Sequence, residues 1–286
     1  MGPVRFTVEV LRQWPNMFSN NHLMNHQTGL EKITSRQNPW YKNLREWTHS
    51  YGVHKEKQLL WLEGDHLCEA ARLKDFAFLT VLLREDAPQT LVDSWLGKAE
   101  KVVLVTVALM TGLSALNSPP MMSAIVRLPN MPVFKPNIST VVLDQLQDPG
   151  NAGSILRSAA AFGFKQVVTT EKTVGLWTHK VVRSSMGAHF GLSLIEGIDI
   201  DLFRSSQLHL VLTSSHQGDF LHQLAGNQKL PSPIAWIFGH EGQGHSKKWL
   251  ELECQTVRIE QSGGEESLNV AAAAAICLHA SSTQFA

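Results

Sequence analysis

Apolar residues along the chain fall into short runs, separated by stretches in which they recur every three or four positions. The runs read as strands and the stretches as amphipathic helices, so their alternation predicts an α/β fold. In the first half the strands are Leu59–Glu63, Phe78–Leu83, Lys101–Leu104 and Ser123–Val126, with helices at His66–Leu73, Gln89–Trp95 and Val107–Leu116. A second alternation has strands at Thr140–Leu143, Gln166–Thr169, Leu208–Thr213, Ile234–Phe238 and Thr256–Ile259, and closes with an Ala-rich helix, Ser267–Ala280. Between the two lies Leu128–Pro136, with three prolines in nine residues. That composition favours an extended connector. The expected organisation is a weakly ordered arm over 1–30, a smaller α/β domain over 31–127, a linker over 128–137 and a larger α/β domain over 138–286. The arm has little periodicity, and Met17 and Met24 inside it are possible alternative starts.

Three turns of the second domain carry the candidate chemistry. Each follows a strand, where open α/β sheets place their ligands. Asp148-Pro149-Gly150-Asn151 leads into a helix with Ile155, Leu156, Ala159 and Phe162 on one face and Arg157 on the other. The plainer reading makes Asn151 an N-cap and Arg157 a solvated surface residue. After Phe238 come Gly239, Glu241, Gly242 and Gly244; three glycines in six residues let backbone approach a ligand closely. After Ile259 a Gly-Gly loop precedes Ser267-Leu268-Asn269, with Ser267 a candidate cap of the last helix. No phosphate-binding loop occurs, and no GxGxxG follows the first strand of either domain, which disfavours a nucleotide-dependent oxidoreductase or a Rossmann-type methyltransferase.

Charge and cysteine usage narrow the picture. Formal net charge is zero, so nucleic acid binding needs a local basic patch. One such stretch exists. Lys32, Arg36, Lys42, Arg45, Lys55 and Lys57 are interleaved with Trp40, Tyr41, Trp47 and Tyr51. Cations bind phosphates and aromatic rings stack on unpaired bases. The alternative is an amphipathic helix with core aromatics and a solvated charged face. Three scattered cysteines, Cys68, Cys254 and Cys277, fit neither a disulfide framework nor a zinc spacing and point to a reducing, cytoplasmic setting. His22 and His26 have helical spacing but no third ligand near them, and no metal site is expected. No apolar run reaches the length of a membrane span.

The three turns together resemble the motifs of the SpoU (TrmH) family of RNA 2′-O-ribose methyltransferases, in the SPOUT superfamily. The residues concerned are Asn151 to Arg157, Phe238 to Ser246, and Ile259 to Gly263 with Glu266 to Val270. Lys180–Ala188 resembles the family's middle segment. Ile33–Arg45 resembles the opening of its ribosomal-protein-like substrate-binding domain. The resemblance implies a C-terminal domain threaded into a trefoil knot, S-adenosylmethionine held by Gly239, Ile259 and Leu268, and a homodimer whose RNA site uses both subunits. By the same resemblance Arg157, Asn151, Glu241, Ser267 and Asn269 carry catalysis, and Arg36, Lys42 and Arg45 hold RNA. Ribosomal RNA is the favoured substrate; transfer RNA, or a non-catalytic role in RNA binding or ribosome assembly, are the alternatives. Two departures stand out: Glu260 and Gln261 occupy places where the family has Pro and Met, and Pro119-Pro120-Met121-Met122 replaces a Pro-Gln-Gly pattern.

Overall fold

The computed structural model describes residues 30–49, 53–54, 58–227, 230–263 and 267–282. The proposed arm up to residue 29, with His22 and His26, and Tyr51, Lys55 and Lys57 lie outside these residues. Contacts divide the chain into two units. The first holds the described part of Met1–Gly52, with Trp61–Asp65 and Ala77–Arg127; the second holds Val53–Leu60, His66–Phe76 and Leu128–Ala286.

The elements of the N-terminal half are β1 (Leu30–Ile33), α1 (Pro39–His49), β2 (Val53–His54), β3 (Leu59–Glu63), α2 (Asp65–Arg72), β4 (Phe78–Arg84), α3 (Gln89–Trp95), β5 (Ala99–Val105), α4 (Val107–Leu113) and β6 (Met122–Arg127). The strands form one sheet in the order β1-β5-β4-β6-β3-β2. Pairing is parallel across β1, β5 and β4 and antiparallel between β4 and β6 and between β2 and β3. Tyr41, Leu44 and Trp47 line the buried face of α1. The Tyr41 hydroxyl donates to Leu109 O on α4 at 3.1 Å. It can come this close because residue 112 is glycine, whose Cβ, if present, would lie 2.3 Å from that oxygen.

Seven parallel strands build the second sheet: β7 (Thr140–Leu143), β8 (Gln166–Thr169), β9 (Ser193–Ile195), β10 (His209–Ser214), β11 (Asp219–Phe220), β12 (Ile234–Phe238) and β13 (Cys254–Arg258). They are ordered β11-β13-β10-β12-β7-β8-β9. The helices are α5 (Pro149–Ala161), α6 (His179–Ser184), α7 (Leu221–Gly226) and α8 (Val270–Ser282). Every pairing in this sheet is parallel, which requires both faces to be covered. The strand alternation meets that demand. Val141, Leu143, Trp236 and Phe238 pack with Ile155 and Leu156 of α5 and Leu278 of α8. Val142, Ala235 and Ile237 face Phe203 and Trp249 on the other side. The Trp236 indole N–H donates to Ser281 Oγ at 2.7 Å, so its burial leaves no donor unmet.

The helix starts differ from the sequence expectation. Asp148, rather than Asn151, caps α5: its Oδ1 accepts from Asn151 N at 2.6 Å, with Pro149 at the first helical position. Asn269, rather than Ser267, caps α8, its Oδ1 accepting from Ala271 N at 2.9 Å and Ala272 N at 3.3 Å. The closing helix therefore begins at Val270.

Candidate active site

At the C-terminal ends of β10, β12 and β13 a cleft of about 630 Å³ opens in the second unit. The chain runs outward from β7 through β8 to β9, then returns to lay β10 and β13 beyond β12, so the order reverses between β7 and β12. The cleft lies on the β12 side of that switch, over the C-terminal strand ends where open α/β sheets bind ligands. Gly239, Glu241, Ile259, Ser267, Leu268 and Asn269 all line the cleft.

Asn151 joins the three loops. Its Nδ2 donates to Glu241 Oε1 at 3.0 Å, and its Oδ1 accepts from Asn269 Nδ2 at 3.0 Å. The Asn269 side chain is thereby doubly committed, capping α8 with its oxygen and holding Asn151 with its nitrogen. Asp148 caps α5 from outside the helix, so the Asn151 amide is free to reach across.

The second loop is shaped from within. His240 N and Gly244 O, and Gly244 N and His240 O, are paired at 2.9 Å. His240 Nδ1 accepts from Gly242 N at 3.0 Å and Gln243 N at 3.2 Å. A Cβ on Gly239 would lie 2.7 Å from Gly244 O, so only glycine fits there. Asp144, buried at the end of β7, holds the loop's exit: it accepts from Ser246 N at 2.7 Å, from the Ser246 hydroxyl at 3.1 Å and from the Thr170 hydroxyl at 2.8 Å. His245 Nε2 donates to Thr213 O at 2.7 Å. Burial pushes the His245 pKa down, which favours the neutral ring, and with Nε2 donating to Thr213 O the neutral ring has its lone pair on Nδ1.

Two buried acceptors among the lining residues, His245 Nδ1 and Gln261 Oε1, have no hydrogen-bond partner among the described residues. Native interiors rarely leave such atoms unmet, so the cleft fits a ligand that carries N–H or O–H donors. Cys277 also lines it, but burial pushes its thiol up to about 12, which keeps it protonated and unreactive. Among the described residues no group of His, Cys, Asp and Glu is placed to hold a metal ion.

The sequence model of the SpoU rRNA Methylase family matches residues 139–279. A Synechocystis protein described as an uncharacterized tRNA/rRNA methyltransferase is 32% identical over 260 residues, covering 87% of this chain and 93% of its own. The chain belongs to the SpoU rRNA methylase family. A second relative, the 23S rRNA (guanosine(2553)-2′-O)-methyltransferase RlmP of Bacillus subtilis, is 26% identical over 87% of this chain and 98% of its own length. The solved structure of an AdoMet-bound rRNA methyltransferase from Sinorhizobium meliloti shares the fold with a TM-score of 0.78, at 22% identity over 90% of this chain and 99% of that one.

In this SpoU chain the structure brings most of the expected site residues together and leaves others apart. Arg157 is exposed on the outer side of α5, six residues beyond Asn151, and lies outside the cleft lining. Its guanidinium makes no hydrogen bond or ion pair among the described residues. Ser267 lines the cleft, and Asn269 takes the cap in its stead. In the first unit Arg36, Lys42 and Arg45 are all exposed. The aromatic residues beside them are not free for stacking: Tyr41 and Trp47 are core, and Lys101 Nζ stands 5.2 Å over the Trp40 ring. Over Pro39–His49 the basic–aromatic stretch is thus a core-facing helix with a charged outer face.

One wall of the cleft escaped the sequence reading. Thr213 to His216, at the end of β10 and just past it, lines it. Ser214 Oγ accepts from His216 N at 3.2 Å and Gln217 N at 3.1 Å, forming a tight turn. Gly218, at φ +97°, lets the chain pass Thr256 O, which a Cβ would approach to 2.2 Å. The signal was present as Thr-Ser-Ser-His-Gln-Gly after an apolar strand, but with one glycine it resembled an ordinary turn.

Proposed function

We propose that this chain transfers a methyl group from S-adenosylmethionine to a ribose 2′-hydroxyl of ribosomal RNA, and that it works in the cytoplasm as a homodimer with a trefoil-knotted C-terminal domain. The observation that carries this reading is Asn151, whose amide ties the helix bearing Arg157 to Glu241 and Asn269 at the cleft. The family, the 2′-O activity in the name of RlmP and the unmet acceptors in the cleft support it. Three free cysteines suit a reducing compartment.

When bound, the cofactor supplies an electrophilic methyl on a sulfonium. Gly239, Ile259 and Leu268, which line the cleft, would hold it there. Methyl transfer to the ribose O2′ would release the 2′-hydroxyl proton to the RNA or to solvent and would leave the cofactor as its thioether. Arginine is too basic to take that proton itself. Arg157 instead grips the phosphate beside the target ribose and orients the hydroxyl. Asn151, fixed on both sides of its amide, sets where the ribose lies. Glu241, Ser267 and Asn269 hold the loops and the substrate, and orientation provides much of the rate. The smaller N-terminal domain takes RNA through the exposed Arg36, Lys42 and Arg45.

The homodimer reading rests on α8. From Val270 to Leu278 its sequence is apolar all round, which a helix half-open to water does not need. Yet Ile276 is 42% exposed, and Ala272 and His279 are exposed beside it. Phe162, just past α5, meets His279 edge-on at 5.4 Å, so the two helices share this outer face. A second copy seated there would place Arg157 at the subunit boundary and build the methyl-transfer site from both chains.

The test is transfer of a labelled methyl from S-adenosylmethionine to RNA lacking this modification, with ribosomal and transfer RNA separated afterwards. Label in ribosomal RNA, abolished by Arg157→Ala with cofactor binding intact, is the expected result. Label confined to transfer RNA would overturn the substrate. Cofactor binding lost together with activity in Arg157→Ala would overturn the role given to the arginine.

A further inference from the structure

The two family departures in the third loop point in opposite directions. Val257, Ile259 and Gln261 line the cleft, and the residues between them do not. This is the two-residue alternation of extended chain, carried on past the end of β13. Glu260 therefore faces outward, its Oε2 3.5 Å from His222 Nδ1 of α7, and brings no carboxylate into the cleft. Gln261 faces inward, and its amide oxygen is buried with no donor among the described residues. A methionine in this place would offer at most a weak thioether acceptor.

We propose that Gln261 is a cofactor-recognition residue, its amide oxygen accepting a hydrogen bond from the exocyclic amine of the adenine. The assignment rests on the cofactor reading above. The choice of donor follows from the row on which Gln261 sits. Val257 and Ile259 share the lining of the cleft with Val270 and Ala273 of α8, and a purine ring suits such apolar surface. The one N–H donor group on adenine itself is its amine. The ribose hydroxyls and the amino-acid end of the cofactor suit the polar residues of the cleft instead, Ser214, Glu241, Ser267 and Asn269. A buried acceptor matched to one donor discriminates strongly against an analogue that lacks it.

The experiment is calorimetric titration of the full chain with S-adenosylhomocysteine and with S-inosylhomocysteine, in which a carbonyl replaces the amine. The unsubstituted chain should prefer the adenosine form by about tenfold or more. Gln261→Met, which restores the family's residue, should lose about tenfold in affinity for the adenosine form and most of the preference, with an unchanged unfolding temperature. Gln261→Leu should behave the same way, and Glu260→Ala should leave both quantities as they were. Unchanged affinity and preference in Gln261→Met, or loss of preference in Glu260→Ala alone, would overturn the assignment. Failure of the unsubstituted chain to bind either nucleoside would overturn the cofactor reading itself.

Discussion

His189 gives the fold a measurable sensitivity to acid. The ring is fully enclosed, with Nε2 donating to Leu176 O at 2.6 Å, Nδ1 against Ser185 Oγ, and the Trp177 ring centred 5.1 Å away. Burial lowers its pKa from 6.5 to about 4, and the hydrogen bond to Leu176 only partly opposes this. Because the folded value is depressed, the folded chain prefers the neutral ring. The associated stability is fully present above the unfolded value, and is lost as pH falls from 6.5 towards 4. The whole shift corresponds to about 3 kcal/mol, of which about 2 kcal/mol disappears between about pH 7 and about pH 5. Urea unfolding at fixed ionic strength across that range measures the loss, and His189→Gln removes the titrating group. The variant should start less stable and show a pH dependence flatter by about 2 kcal/mol. Equal losses in the two proteins would refute the argument, since every other histidine is common to both.

Asn151→Ala should cut single-turnover methyl transfer by about 100-fold while moving the cofactor dissociation constant little, because it frees Glu241 and Asn269 without emptying the cleft. Ile276→Glu, which puts a carboxylate on the proposed dimer face, should halve the mass found by light scattering and abolish transfer with it. Gly218→Ala should destabilise the chain by about 2 kcal/mol or more in urea unfolding, since it adds both a left-handed backbone penalty and a clash with Thr256 O.

The two α/β alternations were legible because their strands are long apolar runs; LLWLE and IAWIF are buried at every position. The three-residue β9 and the short α6 and α7 carry too little pattern to stand out. The helix caps were misread for a tertiary reason. Asp148 and Asn151 both suit an N-cap, and Ser267 and Asn269 likewise, but sequence does not say which amide is needed by a loop ninety residues away. Exposure was the other limit. Tyr41 and Trp47 sit among cations in the sequence, and only their helix face sends them inward. The glycine-rich loops were visible because close backbone approach demands glycine. The wall after β10 was not, because Ser214 shapes it through side-chain hydrogen bonds instead.

The order of strands also bears on how the molecule comes into being. β12 lies between β7 and β10, both of which precede it, and β13 and α8 come later still. A chain emerging from the ribosome in sequence order would hold β7 and β10 with the strand that separates them not yet made. Nascent chain lacking its last fifty residues has neither the third loop nor the helix that buries Trp236. The cleft therefore gains its last two walls only with β13 and α8, and until β12 emerges the facing edges of β7 and β10 need protection from other chains.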